Sequence, residues 1–282
     1  MKKTILMPDP DQAGLSVEVH GIDQDGNQAH ISVVNEQPLT LFLNAQEILT
    51  MMTIGDYPDL LAVGYLLNQH MLHADDEITA IEHDEDLQTI VVRTKRRTDY
   101  EDKLKKKTQT SGCAQGTVFG DIMDDFDEIE LNKDIRVRTS WLYDLQKKIN
   151  TTPSIYLKAG AIHGCVLCKD NEPLIYVEDV GRHNAVDKIA GYMFLNNISP
   201  EDKIFYTTGR LTSEMVIKTA KMGIPVLLSR SGFTAWGVDL ARQVGMTLVG
   251  RLRGKRFTIL AGQERVVFDL EDNTTKDIDS DA

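Results

Sequence analysis

Between Ile155 and Val249 the chain alternates short apolar, β-branched runs with longer runs of helical period, and this alternation restricts the fold more than any other feature. Leu174 to Val177, Lys203 to Thr207, Val226 to Ser229 and Met246 to Val249 read as buried strands. Asn184 to Leu195, Ser213 to Met222 and Thr234 to Val244 read as helices. Ala185, Val186, Ile189, Ala190 and Met193 share one helical face, Met215, Val216, Thr219 and Ala220 another, and Gly223 and Gly245 stand where helices end. A layered α/β domain over 131–270 is the expected result, entered by a helix from about Lys133 or Ser140 to Ile149 that Pro153 stops.

The N-terminal half has a different rhythm. His30 to Val34, Leu39 to Leu43 and Glu47 to Thr53 read as strands of one small sheet. Gly55-Asp56-Tyr57-Pro58 supplies a turn, a helix-cap candidate and a first-turn proline, and Leu60, Val63, Gly64, Leu67 and Met71 continue at helical spacing. Ile78 to Ile81 and Leu87 to Arg93 form a hairpin pattern that closes a small α+β domain over 28–93. The flanks, 1–27 and 271–282, are polar, the second strongly acidic, and both are expected to be mobile tails.

The segment 94–130 breaks the pattern. Thr94 to Thr110 has Leu104 as its only aliphatic residue, so it cannot bury surface and reads as a solvated connector. It leads to Ser111-Gly112-Cys113-Ala114-Gln115-Gly116, a thiol between glycines preceded by Lys103, Lys105, Lys106 and Lys107. A thiol of pKa about 8.5 is roughly 3 % ionised at pH 7, and nearby cations raise that fraction. Cys113 is therefore the candidate nucleophile, set against the plain alternative of a surface cysteine without a task.

With 43 acids against 31 bases the formal charge is −12, which disfavours non-specific nucleic-acid binding. No apolar run approaches the roughly 20 residues that span a bilayer, and the N-terminus has no signal-like core, so a cytoplasmic protein without membrane attachment is expected. Three cysteines make no disulfide framework. Three loops follow strands and open helices: Asp179 to Asn184 with Arg182 and His183, Thr208 to Glu214 with Arg210, and Arg230 to Thr234. Glycine, arginine and hydroxyl groups at helix starts suit an anion. A fourth basic patch, Arg251-Leu252-Arg253-Gly254-Lys255-Arg256, lies just past the last parallel strand and can grip phosphates or simply face water.

Glu36 to Thr40, Gly64-Tyr65-Leu66-Leu67, Ser111-Gly112-Cys113, Ile162-His163-Gly164, Glu178 to Lys188, Thr208-Gly209-Arg210, Ser213 to Val216 and Gly223 to Leu227 together resemble the formate dehydrogenase accessory sulfurtransferase family, FdhD. The resemblance runs from about Glu36 to Arg265, and Val180 to Lys188 is its most specific stretch. It implies a cytoplasmic homodimer whose larger, three-layer α/β domain is similar to the cytidine deaminase fold. It further implies a sulfurtransferase that takes sulfur from a cysteine desulfurase as a persulfide. The sulfur passes to the molybdenum of Mo-bis(molybdopterin guanine dinucleotide) destined for the formate dehydrogenase apoenzyme. The persulfide cysteine of the family falls on Cys113, and its cofactor-contacting stretch falls on Arg251 to Arg256. The second thiol of the family's Cys-x-x-Cys is Gly116 here, which favours single-thiol exchange and leaves open a chaperone that delivers the cofactor without sulfurating it.

Cys165 and Cys168 form another Cys-x-x-Cys, in an apolar setting that favours buried thiols. A zinc deaminase would need His-x-Glu and Pro-Cys-x-x-Cys, whereas His163 is followed two residues on by Cys165, so no metal held by side chains is expected.

Overall fold

The computed structural model describes residues 6–96 and 126–270; Cys113 and the lysines before it lie outside the described residues. The chain opens with a two-stranded antiparallel ribbon, β1 (Ser16–Ile22) and β2 (Gln28–Val34). Its turn is built by Asp23, whose Oδ1 accepts from the N–H of Asp25 and Asn27, both at 2.9 Å. The expectation of a polar tail over 1–27 is thus corrected. Strand alternation in Val17, Val19 and Gly21 is enough to pair, Leu15 is buried, and the Leu6 carbonyl accepts from the Tyr176 N–H.

Next comes a four-stranded sheet of β3 (Gln37–Leu43), β4 (Gln46–Thr53), β5 (Ile78–Asp84) and β6 (Thr89–Thr94), in the order β4-β3-β6-β5. His30 to Val34 belongs to the ribbon and not to this sheet, which departs from the sequence reading. Helix α1 (Pro58–Asn68) covers it, with Leu61, Ala62, Val63 and Leu66 packed on Leu41, Leu43, Ile90 and Val92. Tyr57, in a left-handed conformation, holds the cap position, because Asp56 turns inward instead.

The second lobe begins earlier than residue 131. Phe126 opens a short 3-10 turn and is fully buried with Leu131, so the charged segment ends before Phe126. A few large apolar side chains suffice to pin a chain that otherwise looks solvated. Strand β7 (Val137–Arg138) leads into α2 (Thr139–Thr151) and the short α3 (Ile155–Ala159), which the sequence did not announce. Then follow β8 (His163–Lys169), β9 (Glu172–Asp179), α4 (Arg182–Leu195), β10 (Ile204–Thr207), α5 (Ser213–Lys221), β11 (Val226–Ser229), α6 (Ala235–Gln243), β12 (Thr247–Arg253) and β13 (Arg256–Ala261). A last bridge, β14 (Val266–Val267), pairs with β7.

These strands form a six-stranded mixed sheet, β13-β12-β11-β10-β8-β9, parallel across β10, β11 and β12 and antiparallel elsewhere. Period two divides its side chains. Cys165, Leu167, Phe205, Leu227 and Leu248 pack under α4, α5 and α6, whereas Val166, Cys168, Tyr206, Leu228 and Val249 pack under Leu142, Leu145 and Ile149 of α2. Three layers result, and each buried leucine or isoleucine of α2 contributes about 1.5–3 kcal/mol. No helix among the described residues is long and apolar enough to cross a membrane.

Helices α1 and α4 join the lobes. A Cβ on Gly64 would lie 1.7 Å from the Asp187 carbonyl oxygen, and one on Gly191 would lie 2.0 Å from that of Leu60. Only glycine permits this backbone contact. Around it, Asn68 Nδ2 donates to Asp187 Oδ1 at 2.6 Å, Lys218 donates to both Asp187 oxygens at 2.8 and 2.9 Å, and Lys188 contacts Asp56 and, at 2.7 Å, Asp179.

Candidate functional site

Strands β9, β10, β11 and β12 all end at one rim of the larger sheet, and β8 starts there. The last residues of three of them make the same local bond. Asp179 Oδ1 accepts from the Gly181 N–H at 3.1 Å, Thr207 Oγ1 from Gly209 at 3.1 Å and Ser229 Oγ from Ser231 at 2.9 Å. Short polar side chains that capture the amide two residues on turn the chain sharply off the sheet. Each turn then delivers an arginine, Arg182, Arg210 or Arg230, within three residues of the strand end.

The loops are knitted to one another. Ser229 Oγ donates to the Gly209 carbonyl at 2.6 Å, Leu211 N–H to Gly232 at 2.9 Å and Arg251 N–H to Ser231 at 2.7 Å. The Arg253 Nε–H donates to the Arg230 carbonyl at 3.0 Å, so the third loop and the basic patch are one surface. Arg230 places its guanidinium 5.3 Å above the Tyr156 ring, and α3 is held there by Glu178, whose carboxylate accepts from the Ile155 and Tyr156 N–H groups.

The patch does not lie wholly past the last parallel strand as expected: Arg251 to Arg253 end β12 itself, and with Gly254 to Arg256 they form the tip of the β12–β13 hairpin. A bulge between Gly250 and Arg253 puts Arg251 in a left-handed conformation at φ 54°, and Gly254 turns the chain at φ 57°. Arg251, Arg253, Gly254, Lys255 and Arg256 are exposed. With Tyr143, Phe257 and Thr258 they line an open groove of about 930 Å³. Leu252 is the exception: it is fully buried among the residues under α2, because its neighbours' outward orientation sends it inward. It therefore cannot touch a ligand.

Arg182 and His183 also depart from the picture of groups reaching into solvent, since each is only 8 % exposed. The Arg182 stem lies against Gly209. His183 faces α5, with Nε2 3.1 Å from a Glu214 carboxylate oxygen but out of line for a hydrogen bond. Burial, then the cations Lys218 and Arg182, push its pKa down to about 2, so it is neutral at physiological pH. Arg210 is exposed. The rim adds a group the sequence reading had not placed in the site. His163, at the start of β8, is half-buried and lowered in pKa by burial and then by Arg182 and Arg210, with Nδ1 3.4 Å from Thr208 Oγ1. Only the antiparallel insertion of β8 between β9 and β10 brings it there.

The polar residues of 179–188 serve cohesion more than exposure. Asp179 accepts from Thr53 Oγ1 at 2.6 Å and Asn184 Nδ2 at 2.9 Å, and Asn184 also donates to the Met52 carbonyl at 2.7 Å. Burial opposes the charge on Lys188, yet Asp179 and Asp56 together raise its pKa above the usual lysine value. Cys165 and Cys168 sit on opposite faces of β8, so they cannot share one ligand. Burial pushes the Cys165 thiol up to about 12 and raises Cys168 as well, which leaves both inert.

A two-lobed α/β protein with a cationic, loop-built rim is the class these features define. The FdhD/NarQ family model matches residues 34–267, and the chain belongs to that family. A protein named "Sulfur carrier protein FdhD" from Listeria monocytogenes is 30% identical over 242 residues, covering 83% of this chain and 91% of the relative. One of the same name from Bacillus subtilis is 28% identical over 239 residues, covering 83% and 90%. A crystal structure described as a formate dehydrogenase accessory protein from Desulfotalea psychrophila superposes with a TM-score of 0.72 at 27% identity, covering 90% of this chain and all of that one.

Proposed function

We propose that this chain is a sulfurtransferase that carries sulfur to the molybdenum cofactor of formate dehydrogenase. The Cys113 thiolate attacks the outer sulfur of a cysteine desulfurase persulfide, the donor's S–S bond breaks, and the donor leaves as a thiolate. Cys113 then carries the sulfur to Mo-bis(molybdopterin guanine dinucleotide), which is cargo and not a resident group. The observation that carries this reading is the β12–β13 hairpin. In a chain of net charge −12, Arg251, Arg253, Lys255 and Arg256 converge on one groove floored by Tyr143 and Phe257. Cations beside aromatic rings suit a guanine nucleotide with its pyrophosphate. Arg210 and, behind it, Arg182 extend the positive field along the rim, while His183 supports α4 from within. The names of the relatives support the sulfur-carrier role, and the three-layer lobe supports a cytidine deaminase-like arrangement. A cytoplasmic homodimer completes the reading.

The test is mass spectrometry of the protein after incubation with a cysteine desulfurase and cysteine. Cys113 is expected to gain about 32 Da, the mass of one sulfur, and to lose it to reductant. Cys113→Ala should abolish maturation of formate dehydrogenase and leave guanine nucleotide binding intact. Normal maturation by that variant would sink the relay and leave the non-sulfurating chaperone, which Gly116 at the second thiol position leaves open.

A further inference from the structure

The β1–β2 ribbon carries a face that nothing in the fold requires. Its register sets Val17 opposite Val33, Val19 opposite Ile31 and Gly21 opposite Ala29, so one side of the ribbon is wholly apolar. That side is open to solvent: Val17 is 46%, Val19 41% and Ile31 55% exposed. Only the far end is anchored, where Val34 packs on Leu15, Ile155 and Ile162. Among the described residues no backbone hydrogen bond reaches the outer edge of β1. A two-stranded ribbon with an open edge and an apolar face is marginal in water by itself.

We propose that β1 pairs antiparallel with β1 of a second copy of this chain across a two-fold axis through Val19. The assignment rests on the dimeric reading given above and names its surface. Centring the pair on Val19 sets Val19 against its twin once, on the axis, and Val17 against Gly21 and Glu18 against His20 twice each by symmetry. The two ribbons then form a four-stranded sheet with one continuous apolar face. On the polar face every Glu18 meets a His20, an acid opposite a base. Both are available. Glu18 makes no hydrogen bond or ion pair among the described residues, and His20 meets the His30 ring at 4.3 Å. The self-match also fits the overall charge. With 43 acids and 31 bases two copies repel in general, and the apolar face of the ribbon has no charge to add to that.

Sedimentation velocity of the full chain over a concentration series tests this. The unaltered chain is expected to dimerise. Val19→Lys should weaken the dimer on the order of a hundredfold, because each copy loses a buried valine and faces its twin's lysine. His20→Glu should weaken it about tenfold by placing like charges opposite, and adding Glu18→Lys should restore it. Far-UV circular dichroism confirms that each variant folds, as expected for exposed positions. A dimer that Val19→Lys leaves untouched would overturn the assigned surface while keeping the dimeric reading. A chain that stays monomeric at every concentration would overturn both.

Discussion

Gly64→Ala tests whether the two lobes are locked by direct backbone contact. The added Cβ would lie 1.7 Å from the Asp187 carbonyl oxygen, 2.5 Å from its carbon and 2.7 Å from the Gly191 nitrogen. None of these is a side chain that can swing aside. Ordinary contact needs about 3.5 Å, so α1 and α4 must part by roughly 1.8 Å. Overpacking of this kind costs about 1–3 kcal/mol. Separation also stretches the 2.6 Å bond from Asn68 to Asp187, and leaving a buried partner unsatisfied costs a further ~1–3 kcal/mol. Replacing a helical glycine by alanine returns about 1 kcal/mol. The net expectation is about 3 kcal/mol of destabilisation, read as a drop of about 1 M or more in the urea midpoint. Gly232→Ala, where an added Cβ meets nothing within 4 Å, is the control and should change stability little. A loss below about 1 kcal/mol for Gly64→Ala would show that the helices are not in the contact described, and the reasoning would fail.

His183 gives a pH dependence of defined sign. Its folded pKa of about 2 lies below the unfolded value near 6.5, so its contribution is complete above pH 6.5 and falls as pH drops from there towards 2. At pH 5.5 protonation of the unfolded chain alone removes about 1.4 kcal/mol, and urea unfolding of the wild type against His183→Gln should show that slope disappearing in the variant. Adjacent residues of the hairpin should separate cleanly. Arg253→Glu is expected to weaken nucleotide binding and its salt dependence with little change in stability. Leu252→Ala should cost about 2–5 kcal/mol in urea unfolding because it opens the core under α2.

The central strands and helices were legible because each is a dense run of one period: Val226 to Ser229 was read with the bounds the fold gives it. What escaped was structure whose signal is sparse or depends on distant partners. Val17, Val19 and Gly21 alternate with Glu18 and His20, but the polar composition of 1–27 outweighed three positions. In β13, Phe257 and Ile259 alternate with Arg256 and Thr258, but so short an alternation directly after a run of cations does not announce a strand. Phe126, Ile129 and Leu131 anchor the chain together, but they are spaced three and two apart among acids and so show neither a helical nor a strand period. The rim loops were legible from their glycines and arginines. The depth of His183 was not, since that follows from the packing of α5 on α4 and from Glu214 and Lys218, 31 and 35 residues further on. His163 joined the rim through strand order, which no local pattern encodes.

The polar residues of 179–188 look like a ligand-binding run and are mostly buried, and energetics explains the arrangement. Burying Lys188, Asp56 and Asp179 together removes three charges from water, at several kcal/mol per ion, and the mutual attraction only roughly offsets this. Apolar side chains of similar size would hold the lobes as firmly. They would not fix the angle at which the lobes meet, because apolar surfaces slide, whereas a carboxylate two residues off register leaves a buried charge unpaired. Asp179 is the shared element. The same carboxylate shapes the first rim turn through Gly181 and binds Thr53 of the small sheet, and Asn184 of the same loop ties to Met52. The first loop is therefore tied to the small lobe through β4, and the helix that follows it is tied through the close approach of α1 at Gly64. A change at Gly64 or Asp56 should reach the rim without touching any residue on it.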